Sequence, residues 1–358
     1  MNTDTINFSY RLIDWYGSHK RELPWRNTSD PYIIWLSEII LQQTRVQQGL
    51  PYFNRFIDSY PTVNDLAKAP EQEVLRLWQG LGYYSRARNL HACAKIVVEE
   101  FGGRFPSNYK ELLRLKGVGK YTAAAIASFA FREKVPVIDG NVYRVLSRIF
   151  GIKEDILGAK AYSTFYKVAS ELISDDRPDT FNQAIMEFGA LHCTPNSPAC
   201  DSCPFNSMCY AFAHKQQNAL PVKQKKVKVK KRYFHYMVVS HNGNIFMKER
   251  GPKDIWQGLY DFYLIEKDRF LDTNDLLNDP LINIMLKGGA TLEEESKEYK
   301  HVLTHQRIFA KFYHLNSRHV NDLKDALREL RMGFFSIEEI KNLPKPILID
   351  NYLNEHFF

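Results

Sequence analysis

Two carboxylates and four thiols are the residues best suited to chemistry. Glu38 lies in Ile33-Ile34-Trp35-Leu36-Ser37-Glu38-Ile39-Ile40-Leu41, where helical spacing surrounds it with Ile34, Trp35, Leu41 and Gln42. An acid on so apolar a stretch loses water, which favours its protonated form, and a carboxyl kept neutral near neutral pH is a proton donor. The plain alternative is a glutamate on the one wet stripe of a buried helix. Asp139 precedes Gly140-Asn141-Val142 and can cap the helix that follows. Backbone N–H groups and the helix dipole are expected to keep it ionised. One neutral and one charged carboxyl is the pairing that breaks glycosidic bonds.

The thiols fall together as Cys193-x6-Cys200-x2-Cys203-x5-Cys209, in a loop stiffened by Pro195, Pro198 and Pro204. Clustered thiols in a chain expected to be cytoplasmic suggest a metal rather than disulfides. Tetrahedral zinc and a [4Fe–4S] cluster both take four thiolates, and spacing does not choose between them. Cys93, in the helical stretch Leu90 to Ile96, reads as a small core residue.

The stretch that must position these groups runs from Leu112 to Val145. Two helices are expected to meet at a tight turn containing Gly117 and Gly119, which allow positive φ and close backbone approach. The free N–H groups that open the second helix favour an anion such as a phosphate. Ala123, Ala124, Ala125 and Ala127 would let that helix pack tightly. The pattern is that of a helix-hairpin-helix, with an ordinary αα-hairpin as the bland alternative.

Around this centre the chain of 358 residues has room for two or three domains. No apolar run is long enough to span a bilayer, and Met1 to Tyr10 is polar with no secretory core, so a cytoplasmic, nucleoid-associated location is expected. The formal charge is +7, yet the ten residues Lys223 to Arg232 carry seven basic groups and no acidic one, so the remainder balances. A DNA-binding face elsewhere must come from local arrangement. Phe8 to Ser18 has helical spacing, Asp30-Pro31 reads as an N-cap with proline at the first helical position, and helix follows helix to about residue 190. From Tyr233 the pattern changes. Tyr233 to Ser240 and Asn244 to Lys248 flank the hairpin signal His241-Asn242-Gly243. Gly258 to Ile265 and His301 to Leu315 alternate as strands do, Val320 to Arg331 and Ser336 to Asn342 read as helices, and Ser336-Ile337-Glu338-Glu339 forms a capping box. The expected organisation is an all-α domain over 1–213 with its cysteine loop at 193–209, a basic linker over 214–232, and an α+β domain over 233–358.

Together these residues resemble the adenine DNA glycosylases of the MutY family, within the helix-hairpin-helix glycosylase superfamily. The likeness rests on Leu23-Pro24-Trp25-Arg26, Trp35 to Thr44, Gly80-Leu81-Gly82-Tyr83-Tyr84-Ser85-Arg86, Gly117 to Thr122, Val137-Ile138-Asp139-Gly140-Asn141 and the four cysteines. The resemblance implies a base-excision enzyme, a monomer acting on double-stranded DNA with 8-oxoguanine:adenine mispairs, with replication or repair proteins as possible partners. It implies a [4Fe–4S] cluster on Cys193, Cys200, Cys203 and Cys209. It makes Glu38 the general acid and Asp139 the group that stabilises an oxocarbenium ion, with Tyr121 and Asn141 around a transient sugar–enzyme intermediate. Arg26 and Gln183 match positions that contact the flipped adenine. Gln43, Thr44, Leu81 and Tyr83 match the group that fills the gap and reads the opposing base, with Tyr83 as wedge. Gly117, Gly119 and Lys120 fall at the hairpin that grips the backbone.

Relatives that also cut the strand carry a lysine right after the Gly-x-Gly-x of the hairpin. Tyr121 stands there in this chain, and Lys120, one residue earlier, points about 100° away on a helix, so base removal without efficient strand cleavage is expected. Gly251-Pro252 and Trp256 to Tyr260 make the C-terminal part resemble the Nudix-like domain of that family, without the glutamate-rich metal box of a hydrolase. Leu303-Thr304-His305 stands where Phe-Ser-His is common: Thr304 keeps a hydroxyl and His305 is retained, but an aromatic is lost. Lys116 replaces a common proline. The alternatives are a mismatch glycosylase of the superfamily with another base specificity and a non-catalytic iron–sulfur DNA-binding protein.

Overall fold

A computed structural model of the chain describes residues 3–224, 229–287, 290–317 and 332–358. Described residues within Met1–Lys68 and Asn89–Lys226 cluster into one compact unit, and those within Ala69–Arg88 and Val227–Phe358 into another. The helical segments are α1 (Thr3–His19), α2 (Pro31–Leu41), α3 (Val46–Ser59), α4 (Val63–Lys68), α5 (Glu71–Leu77), α6 (Ser85–Phe101), α7 (Tyr109–Leu112), α8 (Lys120–Phe131), α9 (Gly140–Phe150), α10 (Ala161–Leu172), α11 (Pro178–Leu191) and α12 (Tyr210–Ala213). Of these, α5 and the first turn of α6 group with the second unit, a grouping that sequence order does not express.

In the helical unit α2 starts as expected: the Asp30 side chain accepts from the Tyr32 amide at 2.8 Å and Pro31 occupies the first turn. Its residues Ile34 to Ile40 are all buried, and it packs against α8, whose Thr122 to Ser128 are also buried. The small side chains of α8 make that close approach possible. A second core gathers Phe8, Leu12, Val142, Leu146, Phe165, Phe181, Phe188 and Phe205 between α1, α9, α10 and α11. Geometry requires glycine at several positions, two of them beside the elements that carry the site. Gly117, in the turn before α8, has φ +77, and a Cβ there would sit 2.7 Å from the Asn89 Cβ. A Cβ on Gly189 of α11 would sit 2.6 Å from the Asn141 Cβ, so this glycine lets α9 and α11 meet at Asn141.

The second unit carries an eight-stranded sheet: β1 (Lys230–His241), β2 (Asn244–Glu249), β3 (Tyr260–Asp261), β4 (Tyr263–Lys267), β5 (Thr291–Glu295), β6 (Tyr299–Val302), β7 (Gln306–Asn316) and β8 (Met332–Ser336). Its helices are α13 (Thr273–Leu277), α14 (Pro280–Lys287), α15 (Ile337–Asn342) and α16 (Ile347–His356). β1 is central, running parallel to β7 from Lys230↔Gln306 to Ser240↔Asn316 and antiparallel to β2 and β4. The expected β1–β2 hairpin forms, with Asn242 (φ 47) and Gly243 (φ 78) giving the two left-handed residues of a type I′ loop. The capping box also forms, Ser336 and Glu339 bonding reciprocally.

Two strand expectations are corrected in detail. Gly258 to Ile265 breaks at Phe262, because β3 pairs with β2 while β4 pairs with β1. His301 to Leu315 is a hairpin rather than one strand: β6 and β7 pair, and Leu303-Thr304-His305 is the turn, closed by the Leu303 amide on the Gln306 carbonyl at 2.9 Å. The helix expected over Val320 to Arg331 and part of the basic linker lie outside the described residues.

The two hairpin glycines are predicted to differ in a melting experiment. Gly117→Ala should lower stability by about 2–3 kcal/mol, from its positive φ and the clash with Asn89. Gly119→Ala, at φ −91 with open space at its Cβ, should cost less than about 1 kcal/mol.

Candidate active site

In the helical unit, α2, α8, α9 and α11 and the segment Arg21–Thr28 surround a cavity of about 490 Å³, the size range of small-molecule sites. Glu38 enters it from α2 and is 7% exposed. Burial pushes its carboxyl up to about 7, with Asp139 adding to the rise while the Tyr121 hydroxyl and the Arg26 charge oppose it. The Tyr121 hydroxyl donates to Glu38 Oε2 at 2.6 Å. Burial drives the Tyr121 phenol well above its usual range, so it stays a donor.

Asp139 caps α9. Its Oδ1 accepts from the Val142 amide and its Oδ2 from Asn141 Nδ2, each at 2.7 Å. Both bonds favour the anion, as expected of a cap. The expectation counted those donors but not the burial, which outweighs them and moves the Asp139 carboxyl upward from its ordinary value. Asn141 Oδ1 accepts from Arg144 Nη2 at 2.8 Å, and the same guanidinium reaches the Gly189 carbonyl at 2.7 Å and the Cys193 carbonyl at 2.8 Å. One polar chain therefore runs from Asp139 to the start of the cysteine loop.

Glu38, Tyr121, Asp139, Asn141, Arg26, Gln183 and Thr44 all line this cavity. Gln43 does not; it is exposed, just past α2, with φ 56. Lys120 opens α8 but does not line the cavity: its ammonium lies over the Tyr162 ring, 4.3 Å from the centroid. Sequence reasoning missed Glu187. It sits four residues after Gln183 on α11 and accepts from Arg26 at 2.9 and 2.7 Å and from the Arg21 side chain at 2.8 and 2.6 Å. Burial raises its pKa, but the two guanidiniums outweigh that and hold it at about 2. The i+4 spacing on a helix already carrying Gln183 was the available signal.

Leu81, Tyr83, Thr304 and His305 belong to the second unit. There the Tyr83 hydroxyl bonds to Thr304 Oγ1, and both residues, with Leu303 and His305, line a cavity of about 460 Å³ that also takes in Trp256 and His301. Tyr83 is 44% exposed and holds φ 51, while Leu81 is buried.

Cys193 follows α11 and Cys209 leads into α12. Arg148 Nη1 approaches Cys193 Sγ at 3.5 Å and the Phe205 amide approaches Cys203 Sγ at 3.4 Å. Burial pushes the Cys203 thiol up to about 11, and the charges of Cys193, Cys209 and Cys200 add to the rise, so the four sulfurs share one neighbourhood. Among the described residues no three His, Cys, Asp or Glu side chains close around a single ion.

Comparison with known proteins gives this arrangement its class. Residues 36–171 match the HhH-GPD superfamily of base excision DNA repair proteins, and residues 235–355 match the NUDIX domain. A solved thermostable thymine-DNA glycosylase is 30% identical with a TM-score of 0.55, covering 60% of this chain and 98% of that one. The adenine DNA glycosylase of Buchnera aphidicola subsp. Baizongia pistaciae is 33% identical over 309 residues, 85% of each chain. That of Arabidopsis thaliana is 36% identical over 354 residues, 85% of this chain and 56% of its own, so this chain spans little more than half of that relative. The chain belongs to the adenine DNA glycosylase family.

The Arg21–Glu187–Arg26 group yields a stability test. Glu187→Gln should cost about 2–3 kcal/mol at neutral pH, at the lower end for such pairs because Arg21 is 36% exposed. The carboxyl is depressed from 4.5 to about 2, so its contribution is present above about 4.5 and lost as pH falls towards 2. Denaturant unfolding of both chains should show the gap closing over that window.

Proposed function

We propose that this chain hydrolyses the N-glycosidic bond of adenine mispaired with 8-oxoguanine or guanine and leaves the DNA strand intact. The observation that carries the reading is Glu38, buried and held near neutral, in one cavity with the capped Asp139. The extruded adenine enters that cavity with Arg26 and Gln183 at its edge. Adenine leaves poorly as an anion, so a ring nitrogen must first take a proton, which neutral Glu38 donates. As the bond breaks, positive charge builds on the sugar, and the Asp139 carboxylate lies ready to stabilise it. Asn141 and Tyr121 orient the two carboxyls around the transient sugar–enzyme intermediate. Among the described residues no lysine lines the cavity: Tyr121 holds the position of a strand-cutting nucleophile and Lys120 lies on Tyr162.

In the second unit, Tyr83 is the wedge that offsets the cost of flipping, and Thr304 and His305 meet the lesion. Leu81, in the same unit, and Gln43 and Thr44, in the helical unit, are each assigned to filling the gap and reading the opposing base. Gly117, Gly119 and Lys120 offer the open N-terminus of α8 to a backbone phosphate. Cys193, Cys200, Cys203 and Cys209 would hold a [4Fe–4S] cluster. When bound it would cross-link the loop, while Arg148 fixes the Thr194 and Pro195 carbonyls at 2.7 and 3.0 Å.

Single-turnover assays on a panel of duplexes test the reaction. Adenine opposite 8-oxoguanine or guanine should be released, thymine opposite guanine should not, and Glu38→Gln should lose at least about a thousandfold. Borohydride should trap no stoichiometric lysine adduct. Release of thymine instead would favour the reading suggested by the solved thymine-DNA glycosylase. For the loop, anaerobically purified protein should be brown with about four irons per chain, and Cys203→Ser should remove both. A colourless chain holding one zinc would contradict the cluster.

A further inference from the structure

Arg86 has a place in the fold that its position does not explain. It lies in the first turn of α6, where the helix dipole opposes a cation, and it is 8% exposed. Several contacts offset those costs. Arg86 Nη2 donates to the Gly82 carbonyl at 3.2 Å, and the guanidinium carbon lies 5.1 Å from the Trp78 ring centroid and 5.5 Å from that of Tyr83. The Trp78 indole donates to the same Gly82 carbonyl at 2.9 Å, and the Arg86 amide donates to the Tyr83 carbonyl at 2.9 Å. The residue so enclosed, Tyr83, holds a left-handed backbone at φ 51 with a half-exposed ring, a conformation that a non-glycine residue keeps only when its surroundings impose it.

We propose that Arg86 is a positioning residue for the wedge: its planar fork ties the Gly82 carbonyl to the Trp78 and Tyr83 ring faces and keeps the Tyr83 ring erect for insertion beside an extruded base. The inference rests on the reading of Tyr83 as the wedge. A guanidinium suits the task because it meets aromatic faces and a carbonyl at once, whereas an ammonium is a point charge. Thr304 anchors the other end of the same ring through its hydroxyl. The tyrosine is thus fixed at backbone, face and tip, so that less ordering remains when DNA arrives.

The test is a double-mutant cycle on the full-length chain, read by single-turnover adenine release opposite 8-oxoguanine. Arg86→Gln should slow release about tenfold, and Arg86→Lys, which keeps the charge and the aliphatic stem, about threefold. In the Tyr83→Ala background neither should change the rate by more than about twofold. On a duplex with adenine opposite an abasic site, already unstacked, the loss for Arg86→Gln should shrink to less than about twofold. Melting temperature and visible absorbance report the fold; if Arg86→Gln fails them, the cycle is read from Arg86→Lys. Additive losses in the cycle, or the same loss on the unstacked duplex, would overturn the proposal. If the unmodified chain releases no adenine from any duplex, the functional reading fails instead, and 2-aminopurine fluorescence beside the mispair still reports whether Arg86→Lys and Tyr83→Ala share one effect on base extrusion.

Discussion

The structure depends on one carboxyl being kept from water. Glu38 stands on a helix whose neighbouring residues are buried, against a second helix rich in alanine. An ionised carboxylate there would forfeit hydration that the cavity does not replace. The Tyr121 hydroxyl and the Arg26 charge recover part of that loss, and the carboxyl settles near 7 rather than far above it. This balance is what a donor working at neutral pH requires. Arg26 is in turn paired with Glu187, whose carboxylate also accepts from Arg21. The cavity wall thereby carries a charge pair of its own, and Glu38 feels only part of the arginine.

The opposite wall is organised by α9. Its first residues present Asp139 and Asn141, and its following turns carry Arg144 and Arg148, which reach back to the carbonyls of the cysteine loop. The helix is thus a rigid link between the proposed cation-stabilising acid and the proposed cluster loop. It fits only because Gly189 leaves room at Asn141. A shift of the loop would move Arg144, then Asn141, then the carboxylate that Asn141 orients.

Much of this was legible in the sequence because the signals were local. An acid within an apolar run, an aspartate before Gly-Asn-Val, a Gly-Val-Gly turn and an Asn-Gly hairpin each describe a neighbourhood of a few residues, and each stands where the pattern put it. What was not legible depended on partners distant in the chain. Glu187 becomes a pocket residue only when Arg21 and Arg26 fold against it. The direction of Asp139 is set by its burial, which no capping motif reports. Phe262 divides one apparent strand into two because neighbouring strands claim its two ends. The grouping of residues 69–88 with the sheet is likewise a tertiary fact.

The account rests on the protonation of one side chain, and that can be observed without DNA. Titrating the Glu38 carboxyl by carbon-detected NMR in the folded chain should give a midpoint near 7, and Tyr121→Phe, which removes a bond to the anion, should move it higher. A midpoint at the ordinary value of 4.5, unchanged by Tyr121→Phe, would contradict it.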